Sequence, residues 1–405
     1  MKILMVNKFL HPKGGAETYV LQLGGYLKGQ GHEVQYFGME HDKRCVGNMA
    51  NAYTSYMDFH THSMLEKLKY SMAIIYSTQA RKKIRLVLDD FQPDIVHLNN
   101  INFQLTPSII YEIKKSDIPI VQTAHDCQIA CPNHLMYIAH KKSPCQKCLK
   151  TKNYLHCVRN KCVHNSTFKS LIAAVESFYY HIINTYCLVD AYISPSRFMA
   201  DILTHAGIQR DKIYVLCNPI GTVSNQQSAK KNEKYVLYFG RFSPEKGIET
   251  LLRAAALLPD ILIVIAGYGP LEQLMHAAAP NIRFVGFKQG EELQSLISGA
   301  VCSVLPAVCY ENCPFSVLES HALGVPVIGS NMGGIPELIE DGETGLIFDA
   351  GDAQALTDKI RFLWNNPQTV SQMKEKCLVK PYITWPSYVS KLLEIYRAVG
   401  AGVAI

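Results

Sequence analysis

Short apolar runs alternate with stretches of helical periodicity along nearly the whole chain. KILMVN (2–7) is an apolar run with a polar loop behind it, and in the segment that follows Tyr19, Val20, Leu23 and Leu27 recur at helical spacing. EVQYFG (33–38), DIVHLN (94–99), IPIVQT (118–123), AYIS (191–194) and IYVLCN (213–218) repeat the strand signal, with periodic segments between most of them. Such alternation predicts a parallel sheet covered by helices on both faces.

After Asn218 the pattern breaks. GTVSNQQSAKKNEK (221–234) is small, polar and charged, the composition of an exposed linker. A second alternation then runs through KYVLYFG (234–240), ILIVIAG (261–267), IRFV (282–285), VCSVLP (301–306), PVIGS (326–330) and GLIFD (345–349). The pattern predicts an α/β protein of two doubly wound, Rossmann-like domains, 1–218 and 219–384. A closing helix over 385–405 is expected to pack back on the first domain. Ligands of such sheets bind outside the carboxyl ends of the strands, so a cleft between facing domains is the expected site.

Composition narrows the classes. Hydrophobic residues make up 48% and charged residues 18% of the 405, a globular balance. A net charge of +6 without a basic-aromatic block excludes nucleic acid as an expected partner. The N-terminus MKILMVNKFLHPKGG lacks the apolar core of a signal peptide, and no window of about 18 apolar residues would cross a membrane. The expected compartment is the cytoplasm, with the inner face of the membrane within reach.

Candidate chemistry falls on the loops after the strands. PKGGAE (12–17) puts Gly14 and Gly15 between the first strand and first helix, where backbone amides can meet an anion. FGRFSPEKG (239–247) offers Arg241 and Lys246 on a loop entering a helix, two fixed charges suited to a diphosphate. YENCPFSVLE (310–319) carries Glu311 and Glu319, with Pro314 suited to a first helical position and Asn312 or Cys313 to its cap. Glu319 then lies about 7.5 Å along the helix axis, among apolar neighbours that leave a carboxylate in need of a partner. Downstream, Gly333 and Gly334 form another close-approach loop, ahead of Glu337.

In this order and spacing these stretches resemble the retaining, sugar-nucleotide-dependent glycosyltransferases of family 4, which have the GT-B fold. The resemblance rests on the GG loop, FGRFSPEKG, YENCPFSVLESHALGVPVI, GGIPELIEDGETGLIF, and His125 in QTAHD. It implies that Arg241 and Lys246 hold the donor diphosphate, and that Glu319 holds the ribose. Glu311 would face the donor sugar, with the backbone at Asn312, Cys313 and Phe315 close by. Gly14 and Gly15 would lie near phosphate, His125 beside the transferred sugar, and Gly286 and Phe287 at the base. The catalytic set is thus Glu311, His125, Arg241 and Lys246, with a UDP- or GDP-sugar donor and a glycan or lipid-linked glycan acceptor, as in surface-polysaccharide synthesis. No divalent metal is required in that family, and the two cations take its role. Ala307, where the family usually has serine, Cys313 and His321 depart from the pattern and bear on donor preference. A nucleotide-sugar epimerase, a phosphorylase and a silent scaffold are the rival readings. The scaffold fits poorly, because both cations and both acids are present.

Two further segments stand out. Residues 125–162 hold six of the thirteen cysteines, within an insertion of about 127–162. Cys145, Cys148, Cys157 and Cys162 could close a structural zinc site, with Cys131 able to replace one of them; free thiols and disulfides remain alternatives. LEKLKYSMAIIYSTQARKKIRLVL (65–88) mixes apolar residues with Lys67, Lys69, Arg81, Lys82, Lys83 and Arg85. It reads as a basic amphipathic helix for an anionic membrane surface, or as an ordinary packed helix.

Overall fold

The computed structural model describes residues 1–55, 71–221, 233–276 and 279–401. Residues 222–232 of the expected linker and 65–70 of the basic segment lie outside the described residues.

The first alternation forms β1 (Lys2–Val6), α1 (Gly15–Gly29), β2 (Glu33–Phe37), α2 (Thr78–Phe91), β3 (Ile95–Leu98), β4 (Ile120–Thr123), α3 (Thr167–Ile182), β5 (Ala191–Ser194), α4 (Arg197–Ala206) and β6 (Ile213–Val215). Its six strands pair in parallel in the order β2-β1-β3-β4-β5-β6. Ile3, Leu4, Met5 and Val6, like Ile95, Val96 and Leu98, are fully buried, because helices cover both faces of the sheet. Each such side chain contributes roughly 1.5–3 kcal/mol by leaving water. Helix starts follow the short polar residues: Ser77, Ser166 and Ser196 each accept a hydrogen bond from the backbone N–H three residues on.

The second alternation forms β7 (Val236–Arg241), α5 (Ile248–Ala256), β8 (Ile263–Tyr268), β9 (Ile282–Phe284), β10 (Cys302–Leu305), α6 (Phe315–Ala322), β11 (Val327–Ser330) and β12 (Gly345–Phe348). The parallel order is β9-β8-β7-β10-β11-β12. Its direction of winding reverses between β7 and β10, the switch point outside which open α/β sheets bind ligands. The chain ends on α7 (Trp385–Ala398).

By its contacts the chain divides into two units. The first holds Met1–Met136, Gln146–Cys217 and the chain from Trp385; the second holds Tyr137–Cys145 and Asn218–Thr384. Within the first unit α7 packs on α1, where Trp385 stacks on Tyr26 at 5.2 Å between ring centroids. The cysteine-rich insertion is therefore shared. Its strip Tyr137–Cys145 pairs with itself as a two-stranded antiparallel ladder, and Lys142 forms an ion pair with Glu249.

From Thr78 the described part of the basic segment is the packed helix α2. Ile84, Val87 and Leu88 of α2 are buried, Arg81 pairs with Glu112 at 2.7 Å, and Arg85 pairs with Asp89 at 3.0 Å. No described helix is long and apolar enough to cross a membrane.

Candidate functional site

In the second unit three strand-end loops are held together by their backbones. Gly247 has φ +73°, and a Cβ there would lie 1.7 Å from the Pro306 carbonyl oxygen, so only glycine fits. The Glu245 carbonyl accepts from the amides of Val308 and Cys309 at 2.9 and 3.3 Å, tying the loop after β7 to the loop after β10. Gly333, at φ +64°, brings the loop after β11 against Glu311, whose carbonyl accepts from the Gly334 amide at 2.7 Å.

Across the switch point between β7 and β10, Lys246 Nζ meets Glu311 Oε1 at 2.5 Å. Burial pulls the Lys246 ammonium down, but Glu311, with Cys309 and Glu245, more than offsets it, so its pKa is raised. The Cys309 thiol is pushed up, by burial first and then by the Glu311 charge. Glu319, the fifth residue of α6, has its carboxyl pushed up to about 7 by burial. Arg241 is exposed at the end of β7.

Helix α6 starts one residue later than its sequence suggests. Pro314 is itself the cap, at φ −68° and ψ 124°, and no side chain caps the helix. An extended ψ at Pro314 excludes it from the first turn, so neither Asn312 nor Cys313 is the cap. Cys313 is buried, and its carbonyl accepts from Asn218 Nδ2 at 2.9 Å. Phe315 opens the helix. His321 is fully buried with Nδ1 at 2.6 Å from the Tyr382 hydroxyl, and burial lowers its pKa to about 3, so it is neutral. Ala307 is fully buried, its carbonyl accepting from Ser330 Oγ at 2.6 Å.

Gly286, at φ +71°, and Phe287 follow β9 at the same sheet edge. Phe287 meets Tyr268 edge-on at 5.3 Å, and both rings are about half exposed. Tyr268 was missed by the sequence reading. Its signal is GYGP (267–270), whose first two residues end β8 as Gly240 and Arg241 end β7; a Cβ on Gly267 would lie 1.9 Å from the Gly240 carbonyl oxygen. Glu337 is exposed on the short helix Ile335–Leu338.

In the first unit Gly14 caps α1 in extended conformation and Gly15 opens it, so the first amides of a 15-residue helix lie beside them. His125 follows β4. Its Nε2 is 2.8 Å from Asn99 Oδ1, and Asn99 Nδ2 donates to the Val6 and His97 carbonyls. That amide orientation makes Nε2 the donor and leaves Nδ1 an acceptor. Burial lowers the His125 pKa to about 4, so the ring is neutral at pH 7. Tyr19 stands edge-on to it at 4.9 Å, and the Tyr19 hydroxyl is 2.7 Å from that of Tyr388 on α7. His97 bridges Tyr396 and Thr123 at 2.6 and 2.7 Å and is fully buried, its pKa lowered to about 3. Sequence reading found His125 but not these partners, which come from three separated segments.

The thiols divide differently from their spacing. Cys145 belongs to the second unit, whereas Cys148, Cys157 and Cys162 belong to the first. Cys157 is hydrogen-bonded to Cys162 and lies within electrostatic reach of Cys131 and Cys148. None of the thirteen cysteines forms a disulfide, and no group of described His, Cys, Asp or Glu side chains is arranged to hold a metal ion.

Two parallel six-stranded sheets, with cations, acids and close-approach glycines on the strand-end loops, define the GT-B architecture of sugar-transferring enzymes. The model for glycosyltransferase family 4 matches residues 13–223, and that for glycosyl transferases group 1 matches residues 221–377. The chain belongs to glycosyltransferase family 4. It is 27% identical over 250 residues to an alpha-maltose-1-phosphate synthase of Mycolicibacterium smegmatis, a match covering 52% of this chain and 64% of that one. The chain thus matches less than two thirds of that relative's length. Sucrose-phosphate synthase from Thermosynechococcus elongatus has a similar fold over 98% of both chains, with a TM-score of 0.70 and 19% identity. The Anabaena protein HepE in complex with UDP does so over 98% of this chain and 100% of its own, with a TM-score of 0.68 and 16% identity.

Proposed function

We propose that the chain is a retaining, metal-independent glycosyltransferase that moves a sugar from a nucleoside diphosphate donor to a hydroxyl of a glycan or lipid-linked glycan. The observation that carries this reading is the Lys246–Glu311 pair across the switch point. An ammonium already partnered by a carboxylate can exchange it for a donor diphosphate. The exchange frees Glu311 for hydroxyls of the transferred sugar, and Arg241 adds the second fixed charge.

Glu319, near neutrality at pH 7, takes the ribose hydroxyls as its carboxylate forms. HepE, of similar fold, is in complex with UDP, which supports a nucleoside diphosphate donor here. Tyr268 and Phe287 offer faces for its base. Gly14, Gly15 and His125 keep the phosphate and sugar roles the resemblance gives them, His125 as a neutral hydrogen-bonding ring.

The acceptor oxygen bonds to the anomeric carbon on the face the diphosphate leaves, while the bond from that carbon to the phosphate oxygen breaks. The acceptor proton passes to the departing oxygen. Neither glutamate is required as a proton carrier, which separates this reading from a hydrolase, where two carboxyl groups flank the bond.

A thermal-shift screen against UDP-, GDP- and ADP-sugars, followed by nucleoside diphosphate release with and without glycan acceptors, tests the reading. One donor should raise the midpoint and turn over only with acceptor, with turnover unchanged by EDTA. Turnover of donor without acceptor would favour an epimerase, and no midpoint shift with any donor would overturn the proposal.

A further inference from the structure

Helix α3 is built inside out. Its buried face carries Ser170, Ala173, Ala174, Glu176 and Ser177, together with Tyr180. Its solvent face carries Phe168, Leu171, Val175, Phe178 and Ile182, which are 54, 44, 42, 56 and 62% exposed. Steps of three and four residues keep those five within one stripe, about 21 Å long at 1.5 Å per residue. Isolated exposed apolar residues need no explanation, but a continuous helical stripe marks an interaction face. Leu155, on the short helix packed against α3, adds a further exposed side chain.

Charge identifies the partner. Residues 146–175 contain Lys147, Lys150, Lys152, Arg159, Lys161 and Lys169 and no acidic residue, and all six cations are exposed. A second copy of the chain would set this basic border against itself in a two-fold contact. An anionic lipid surface accepts both features: the stripe enters the acyl boundary and the cations meet the headgroups. The described part of the basic segment at 65–88 offers no such stripe, since only Met72 and Leu86 of its apolar side chains are exposed and Arg81 and Arg85 have acidic partners.

We propose that the outward face of α3, with its basic flank, docks this protein on an anionic bilayer. The inference is independent of the sugar-transfer reading, because docking is measured without donor or acceptor.

The experiment is co-sedimentation of the full chain with vesicles of phosphatidylcholine alone or with about 30% phosphatidylglycerol, at low and high salt. Wild type should bind the anionic vesicles, several-fold less at high salt, and bind neutral vesicles weakly. Phe168→Ser/Phe178→Ser should lose at least about tenfold in binding with its thermal midpoint retained. Lys161→Gln/Lys169→Gln should weaken binding to anionic vesicles alone. Absence of wild-type binding, or unchanged binding by the phenylalanine variant, overturns the proposal. So does a solution dimer that this variant dissociates, which would make the face a contact between copies.

Discussion

The Lys246–Glu311 pair of the second unit and the His97–Thr123–Tyr19 network of the first, in which the Tyr19 hydroxyl is 3.3 Å from Thr123 Oγ1, both lie along the carboxyl edge of a parallel sheet, yet they solve opposite problems. The second unit keeps two opposite charges part-buried and close, an arrangement that costs desolvation and leaves each charge able to change partners. The first unit keeps neutral groups deeply buried and mutually satisfied: burial holds His97 and His125 uncharged, and the tyrosine hydroxyls close the network through α7. Charge is retained where a ligand is to be exchanged, and neutrality where a ring is to be held still.

The largest test of this contrast is at the backbone. Gly247→Ala sets a Cβ on the Pro306 carbonyl at a left-handed φ, and should cost roughly 3 kcal/mol or more in a denaturant titration. Gly25→Ala on α1, where a Cβ meets nothing within 4 Å, is the matching change in the first unit and should stabilise by up to about 1 kcal/mol.

Glu319→Gln tests the chemistry of the second unit. It should raise the donor KM roughly 10- to 100-fold above pH 7, because the carboxylate is the stronger acceptor. Burial raises the Glu319 pKa to about 7, so wild-type donor affinity should climb between pH 6 and 8 and stay flat in the variant. The sign for folding is the reverse. The folded state holds this proton longer than the unfolded chain, so the associated stability is present below about pH 4.5 and is lost as pH rises through about 7. The smallest effect belongs to Tyr388→Phe, which removes one hydroxyl from the neutral network. It should cost about 1 kcal/mol in stability and leave the pH profile of donor affinity unchanged.

The strands were legible because their apolar runs are short, buried on both faces and bounded by polar turns. The loop residues of the second unit were legible too, since glycines and charged residues clustered at strand ends are written locally. What periodicity cannot carry is who meets whom. Lys246 and Glu311 are 65 positions apart, and the resemblance puts them on different parts of a ligand rather than on each other. The partners of His97 come from β4 and from the last helix, 299 positions away in the case of Tyr396. Preference puts Pro314 at a first helical position, and the extended ψ it adopts makes it the cap. The α3 stripe was hidden because an apolar period looks the same whether it faces a core or solvent.

The central claim is that Lys246 exchanges Glu311 for the donor diphosphate. Calorimetric titration of UDP and GDP into wild type, Lys246→Ala and Glu311→Gln tests it directly, since these ligands carry the diphosphate without the sugar. Lys246→Ala should weaken the preferred nucleotide roughly 10- to 100-fold, whereas Glu311→Gln, by releasing the ammonium, should tighten it several-fold. Equal affinity in all three proteins, or weakening by both substitutions, would contradict the exchange.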